Sequence, residues 1–131
     1  MKVVTDERVA RFVGEKLNFG VFPPWTAMGI EKDGEIIGGV IFNCFEGNDL
    51  QVTVAGRGFG KNFLQNVGDY VYNQLGYGRM TIKTEQESVV KLAERLGGKI
   101  EGMLRAHFRN GNSAWIVGIL KEEYRFLKKE D

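Results

Sequence analysis

Apolar positions recur along this chain with two periods, which divide it into helices and strands. Val9, Phe12, Val13 and Leu17 fall three and four residues apart, one stripe of a helix, and Thr5 or Asp6 stands where a cap belongs. That spacing predicts a first helix ending near Asn18. Residues 19–25 read as a loop, because Pro23-Pro24 excludes regular pairing. Residues 26–32 and 35–45 read as strands around Asp33-Gly34, a favoured two-residue hairpin turn. Cys44 alternates with Val40 and Phe42, so a buried core thiol is expected. Glu46-Gly47-Asn48 then turns the chain into a strand over 49–54, completing an antiparallel meander.

The period changes again after a glycine-rich turn. Phe63, Leu64, Val67, Val71 and Leu75 form the stripe of a helix over 61–75, with Gly76 as its C′ residue. Met80 and Ile82 face one way on a strand over 79–84, and a strand–helix–strand unit places this strand parallel to 50–54. Thr84-Glu85-Gln86-Glu87 has the capping-box pattern before a helix carrying Val89, Leu92, Ala93 and Leu96, which Gly97-Gly98 ends. Residues 99–109 and 113–120 read as a closing hairpin. The tail, 122–131, reads as a short polar helix with Tyr124, Phe126 and Leu127 packed.

The turn itself, Ala55-Gly56-Arg57-Gly58-Phe59-Gly60, carries the candidate chemistry. Glycines at alternate positions permit a sharp turn and a close approach to the backbone. A helix starting directly after it aims free N–H groups and the positive end of its dipole into the same space, a backbone site for phosphate. Arg57 and Lys61 add positive charge. A tight connection with glycines used only for packing is the other reading. A P-loop does not fit, since Ala55 replaces its first glycine and Asn62 its hydroxyl; a Rossmann turn would need glycine where Lys61 stands.

Composition narrows the rest. The chain has 131 residues, 43% hydrophobic, which suits one domain over 1–131. No apolar run reaches the ~18–20 residues of a membrane span. A net charge of +1 with interspersed signs disfavours nucleic acid as a partner. One cysteine and one histidine do not make a thiolate or imidazole metal site, and a single thiol fits a reducing compartment.

Gly58-Phe59-Gly60 fits the last three positions of [RQ]-x-x-G-x-[GA], with Ala55 in the first, and in this the stretch resembles the pyrophosphate loop of the GNAT superfamily of acyl-CoA N-acyltransferases. Residues Gln86-Glu87-Ser88-Val89-Val90-Lys91-Leu92-Ala93-Glu94-Arg95-Leu96-Gly97-Gly98, followed by Glu101-Gly102, occupy the register of a second family motif. Further stretches, among them Trp25-Thr26-Ala27-Met28-Gly29-Ile30 and Asn73-Gln74-Leu75-Gly76, resemble the small acetyltransferase-like proteins of tailed phages. The resemblance implies a mixed α/β, α+β GNAT-like fold: antiparallel meander, βαβ crossover through the pyrophosphate loop, C-terminal hairpin.

It also implies an acetyl-CoA-dependent N-acetyltransferase in which a primary amine attacks the thioester directly. Val52 and Val54 would offer backbone groups to the pantetheine arm, and the N–H groups of Gly56, Arg57, Gly58, Phe59, Gly60 and Lys61 would receive the pyrophosphate. Gln86 would hold the cofactor arm in place of the usual Asn. The acceptor would be a small molecule or a protein N-terminus, with homodimerisation left open, no membrane partner, and a cytoplasmic location in a bacterial cell, phage-encoded or not. Three departures matter: Ala55 in the loop, Gln51 where a base is often found, and Ala93 where a tyrosine commonly protonates the leaving thiolate. They support the alternative of a non-catalytic CoA-binding or protein-interaction module. Glu46 is the candidate base, and His107 is placed on a polar strand face with Glu101, Arg105 and Arg109.

Overall fold

The computed structural model describes residues 1–18, 20 and 23–127. Phe19, Val21, Phe22 and 128–131 lie outside the described residues, so the loop expected over 19–25 and the tail helix expected over 122–131 are described only in part. The elements are β1 (Lys2–Val4), α1 (Glu7–Leu17), β2 (Trp25–Lys32), β3 (Glu35–Glu46), β4 (Asp49–Gly56), α2 (Lys61–Gly68), β5 (Arg79–Thr84), α3 (Glu87–Arg95), β6 (Lys99–Leu104) and β7 (Ala114–Leu120). They build a seven-stranded sheet in the order β1-β2-β3-β4-β5-β7-β6. Among the described residues only β4 and β5 pair in parallel.

Alternation sorts the strand side chains onto two faces. On one, Leu50, Val52 and Val54 of β4 and Met80 and Ile82 of β5 pack with Phe63, Leu64 and Val67 of α2 and Val89 and Ala93 of α3. On the other, Ile41 and Ala55 pack with Val9 and Val13 of α1. α1 packs mainly over β3, β4 and β2, and the same face of β5 carries the polar residues Thr81 and Lys83. Among the described residues no helix is long and apolar enough to cross a membrane.

The Asp33-Gly34 turn forms with positive φ at both residues (52° and 82°), as its sequence predicts. α2 ends sooner than expected. Its last turns, Asp69–Gln74, widen to a π-helical pattern in which Leu75 N–H reaches Tyr70 C=O at 2.8 Å, and Gly76 follows with φ 79°. Gly68 inside α2 is a packing requirement: the Tyr124 ring lies where a Cβ would be, and its hydroxyl donates to Leu64 C=O at 2.6 Å.

Four readings are corrected. β1 was not foreseen; three residues are too few to show a period, and it forms by pairing with β2. Cys44 is exposed, not buried, because β3 bulges between Asn43 and Glu46 with Cys44 in left-handed backbone (φ 51°), which breaks the alternation. The strand expected over 99–109 stops at Leu104; Ala106 turns to φ 51°, and Phe108 N–H bonds Asn112 C=O inside a loop. Among its described residues the tail forms a 3-10 turn, Lys121–Glu123, before Arg125 N–H bonds Leu96 C=O at the end of α3. Tyr124 is buried, with Phe126 and Leu127 against the core, as expected.

Candidate active site

β4 and β5 are joined at one end and apart at the other. Asn48 C=O accepts from Gly78 N–H (3.3 Å) and Arg79 N–H (3.2 Å), and Asn48 Oδ1 accepts from Gly78 N–H at 2.8 Å. Thr81 Oγ1 donates to Asp49 at 2.8 Å, and Arg79 reaches both Asp49 (3.4 Å) and Glu101 (2.8 Å). Beyond this staple the ladder has one bridge, Gln51 to Thr81, and no later pair. The strands diverge from there toward their C-terminal ends.

Gln86 stands at the mouth of that gap. It is the N-cap of α3 without a side-chain cap bond; its Nε2 instead crosses to Val54 C=O at 3.2 Å. Because Val54 points its carbonyl into the gap, strand alternation directs Val52 the same way and Thr53 toward β3. The two β4 residues expected to offer backbone groups therefore face the opening. Gln86 occupies one of those groups itself, an arrangement the sequence did not disclose.

The gap opens into a cleft of about 660 Å3 on the α1 side of the sheet. Asn43, Gln51, Thr53 and Lys83 form its floor, Lys16 to Asn18 at the end of α1 one wall, and His107 to Asn110 of the β6–β7 loop another. That loop is braced: Asn110 Nδ2 donates to both oxygens of Glu85 at 3.2 Å, and Asn112 N–H bonds Asn110 Oδ1. His107 thus lies at the cleft on a loop, not on a solvated strand face. Lys83, Asn43, Thr53 and Lys16 were not singled out from sequence. Thr81 and Lys83, alternating with Met80 and Ile82, were the one available signal.

At the C-terminal end of β4 the chain enters the glycine turn. Gly56 (φ 88°) and Gly58 (φ 96°) take conformations that favour glycine, and a Cβ on Gly58 would meet Ile37 Cδ1 at 3.0 Å. Not every N–H of the turn is free. Arg57 N–H donates to Ile37 C=O at 3.0 Å and Gly60 N–H to Gly58 C=O at 2.9 Å, so neither is available as expected. Among the described residues, the backbone N–H groups of Gly58, Phe59, Lys61, Asn62 and Phe63 have no partner, and the first helical bond runs from Leu64 to Gly60. The donor set is shifted one turn into α2. Its N-cap, Gly60, has no side chain to offer and its first turn has no acid, while Arg57 and Lys61 are exposed and outside every ion pair of the described residues.

The other candidates are placed as follows. Glu46 is exposed at the end of β3, paired with Asp49 on the stapled side of the Gln51–Thr81 bridge, and does not line the cleft. Ala93 is fully buried in the core under the sheet. Tyr72 donates to Ile119 C=O at 2.7 Å, and burial pushes its phenol pKa up, as it does that of Tyr124. Tyr70 shares a 2.8 Å hydrogen bond with Thr26 Oγ1, and no tyrosine lines the cleft.

No protein-family model matches the chain, and no curated protein matches it. Solved structures do. Mutant forms of the spermidine/spermine N-acetyltransferase SpeG from Vibrio cholerae superpose with a TM-score of 0.74 at 18% identity, over 94% of this chain and 96% of that one. A further mutant of the spermidine N-acetyltransferase SpeG from Vibrio cholerae gives 0.75 at 17% identity, over 95% and 98%. The chain has the GNAT acetyltransferase fold. At these identities the likeness establishes architecture, and it agrees with the predicted order of meander, crossover and terminal hairpin.

Proposed function

We propose that the protein is an acetyl-CoA-dependent N-acetyltransferase acting on a primary amine. The observation that carries this reading is the uncapped, cation-flanked start of α2, reached directly from a β4 whose backbone faces an open gap. Acetyl-CoA, when bound, supplies the acyl group as a thioester; transfer forms an N–C bond as the C–S bond breaks. The N–H groups of Gly58, Phe59, Lys61, Asn62 and Phe63 suit a pyrophosphate, with Arg57 and Lys61 beside it. Val52 and Val54 offer backbone hydrogen bonds in the gap, Gln86 exchanging its bond to Val54 for one to the cosubstrate arm. A thiol with pKa near ~8.5 leaves readily as thiolate and takes its proton from water, so the absence of a tyrosine at Ala93 is tolerable.

The proton on the amine is the harder requirement. A lysine side chain, pKa near ~10.4, is only about one part in a few thousand free base at pH 7, whereas an α-amine near ~7.7–8.0 is about a tenth to a sixth free. Glu46 lies outside the cleft; of the groups lining it, the Glu85 carboxylate is held through both oxygens by Asn110, which leaves His107 to accept the proton, directly or through water. We therefore assign a low-pKa amine as acceptor. Spermidine, named for the structural neighbours, is polycationic and does not suit a cleft lined by Lys16, Lys83 and Arg109 against Glu85.

The test is release of free thiol from acetyl-CoA across a panel of amines between pH 6.5 and 9.5. Amine-dependent release with α-amines preferred supports the reading. A preference for lysine side chains with a rate plateau near pH 7 overturns the acceptor assignment. Tight CoA binding without turnover supports the non-catalytic module instead.

A further inference from the structure

The floor of the cleft holds a half-buried lysine with no ion-pair partner among the described residues. Lys83 lies on the polar face of β5 and forms no ion pair among the described residues. Lys16 and Arg109 stand exposed on opposite walls of the same cleft. Its one carboxylate among the described residues, Glu85, is tied by both oxygens to Asn110. A partly covered lysine with no partner in its own chain among the described residues, flanked by two further cations, makes this a positive cleft that suits an anion entering from outside. These charges line the cleft on the α1 side, whereas α2, whose N-terminus provides the phosphate donors, packs on the opposite face. On the same floor, across β4 from Lys83, the Oδ1 of Asn43 is buried and has no hydrogen-bond partner among the described residues. A cation without a counter-charge on this floor matches a molecule that presents an anionic group.

We propose that the acceptor carries a carboxylate as well as its reactive amine, so that the substrate class is the free amino acid or short peptide, with Lys83 seating the carboxylate and Arg109 and Lys16 drawing it in. This rests on the acyl-transfer reading for the identity of the reactive group, though not for the charge of the site.

The experiment uses the full chain saturated with CoA and three probes: glycylglycine, glycylglycinamide and spermidine. Binding is measured by calorimetry, and thiol release from acetyl-CoA is measured separately. Glycylglycine is expected to bind at least ~10-fold more tightly than its amide, a discrimination that Lys83→Gln removes and Lys83→Arg retains, with CoA affinity unchanged in both variants. Equal binding of acid and amide, tighter binding of spermidine, or no binding of any probe overturns the proposal. So does a Lys83→Gln variant that loses CoA affinity in place of dipeptide affinity, which would give the lysine to the cosubstrate's phosphates. The two readings fail separately. Carboxylate-dependent binding without thiol release sinks the enzyme and keeps this site; thiol release that is indifferent to the carboxylate keeps the enzyme and sinks the site.

Discussion

α1 begins on Asp6, whose carboxylate accepts from Arg8 N–H at 2.9 Å and from the Arg8 guanidinium at 3.0 Å, with Glu7 in the first turn and Glu31 of β2 holding Arg8 from the other side at 2.8 Å. α2 begins on Gly60, with no side-chain acceptor, no acid in its first turn and cations on both sides. Both helices present the same orphan donors and the same positive dipole end. The first neutralises them within the chain, at the surface over the meander. The second leaves them bare beside the gap between β4 and β5. A helix start whose own sequence does not supply a cap, in a fold where the equivalent feature elsewhere is capped, is where an anion from outside belongs.

The comparison breaks most directly if α2 is given a cap of its own. Gly60 has extended backbone (φ −83°, ψ 175°) and open space where a Cβ would go, so Gly60→Asp is accommodated without strain. The new carboxylate would bond the free N–H groups, raising the melting temperature of the ligand-free protein slightly, and would weaken CoA by about 100-fold. Thermal shift and calorimetry on the one variant give both numbers; undiminished CoA binding removes α2 as the phosphate site. Gly58→Val acts through backbone as well. At φ 96° and against Ile37 it should cost about 2 kcal/mol of stability in urea and also abolish the thermal shift caused by CoA.

The flanking charges sharpen the comparison more gently. Arg57→Ala and Lys61→Ala are each expected to weaken CoA by about fivefold, roughly 1 kcal/mol, and more at low salt, because backbone donors do most of the binding. A loss of several kcal/mol from either change would reverse that division. Asp6→Ala makes α1 resemble α2 and is the smallest effect: a melting temperature lower by a few degrees at pH 7, with CoA affinity unchanged. Hydrogen bonds from the Arg8 side chain and backbone hold the Asp6 carboxyl below the usual carboxylate range. A depressed folded-state pKa adds stability that is present above the unfolded value near ~3.9 and lost as pH falls through the folded one. The wild-type and Asp6→Ala melting temperatures should therefore converge as pH falls below about 4. A gap that persists at pH 2 would assign the effect to packing.

How much of this was legible beforehand differs by element. The Asp33-Gly34 hairpin, the strand 79–84 and the helix starting at Lys61 follow from rules acting over a few residues, and each is found where the pattern puts it. The glycine turn running straight into a helix was legible for the same reason, although which of its N–H groups are free was not. Arg57 gives its N–H to Ile37, a partner twenty positions back that only the β3–β4 register brings near.

The sequence by itself determined the alternation of helix and strand, the uncapped start of α2 and the parallel crossover, because dihedral preference, side-chain period and crossover handedness are all local or nearly so. Tertiary structure decided the site. Asn48 and Asp49 staple one end of the β4–β5 pair to Gly78 and Thr81, and that is what leaves the other end to open. A bulge turns Cys44 outward and leaves Glu46 on the closed side of the bridge, while a loop that abandons its strand at Leu104 carries His107 and Arg109 to the cleft, beside Lys83. Each of these depends on register between segments far apart in the chain, and register is set by the packing of whole faces against one another, which no window of neighbouring residues contains.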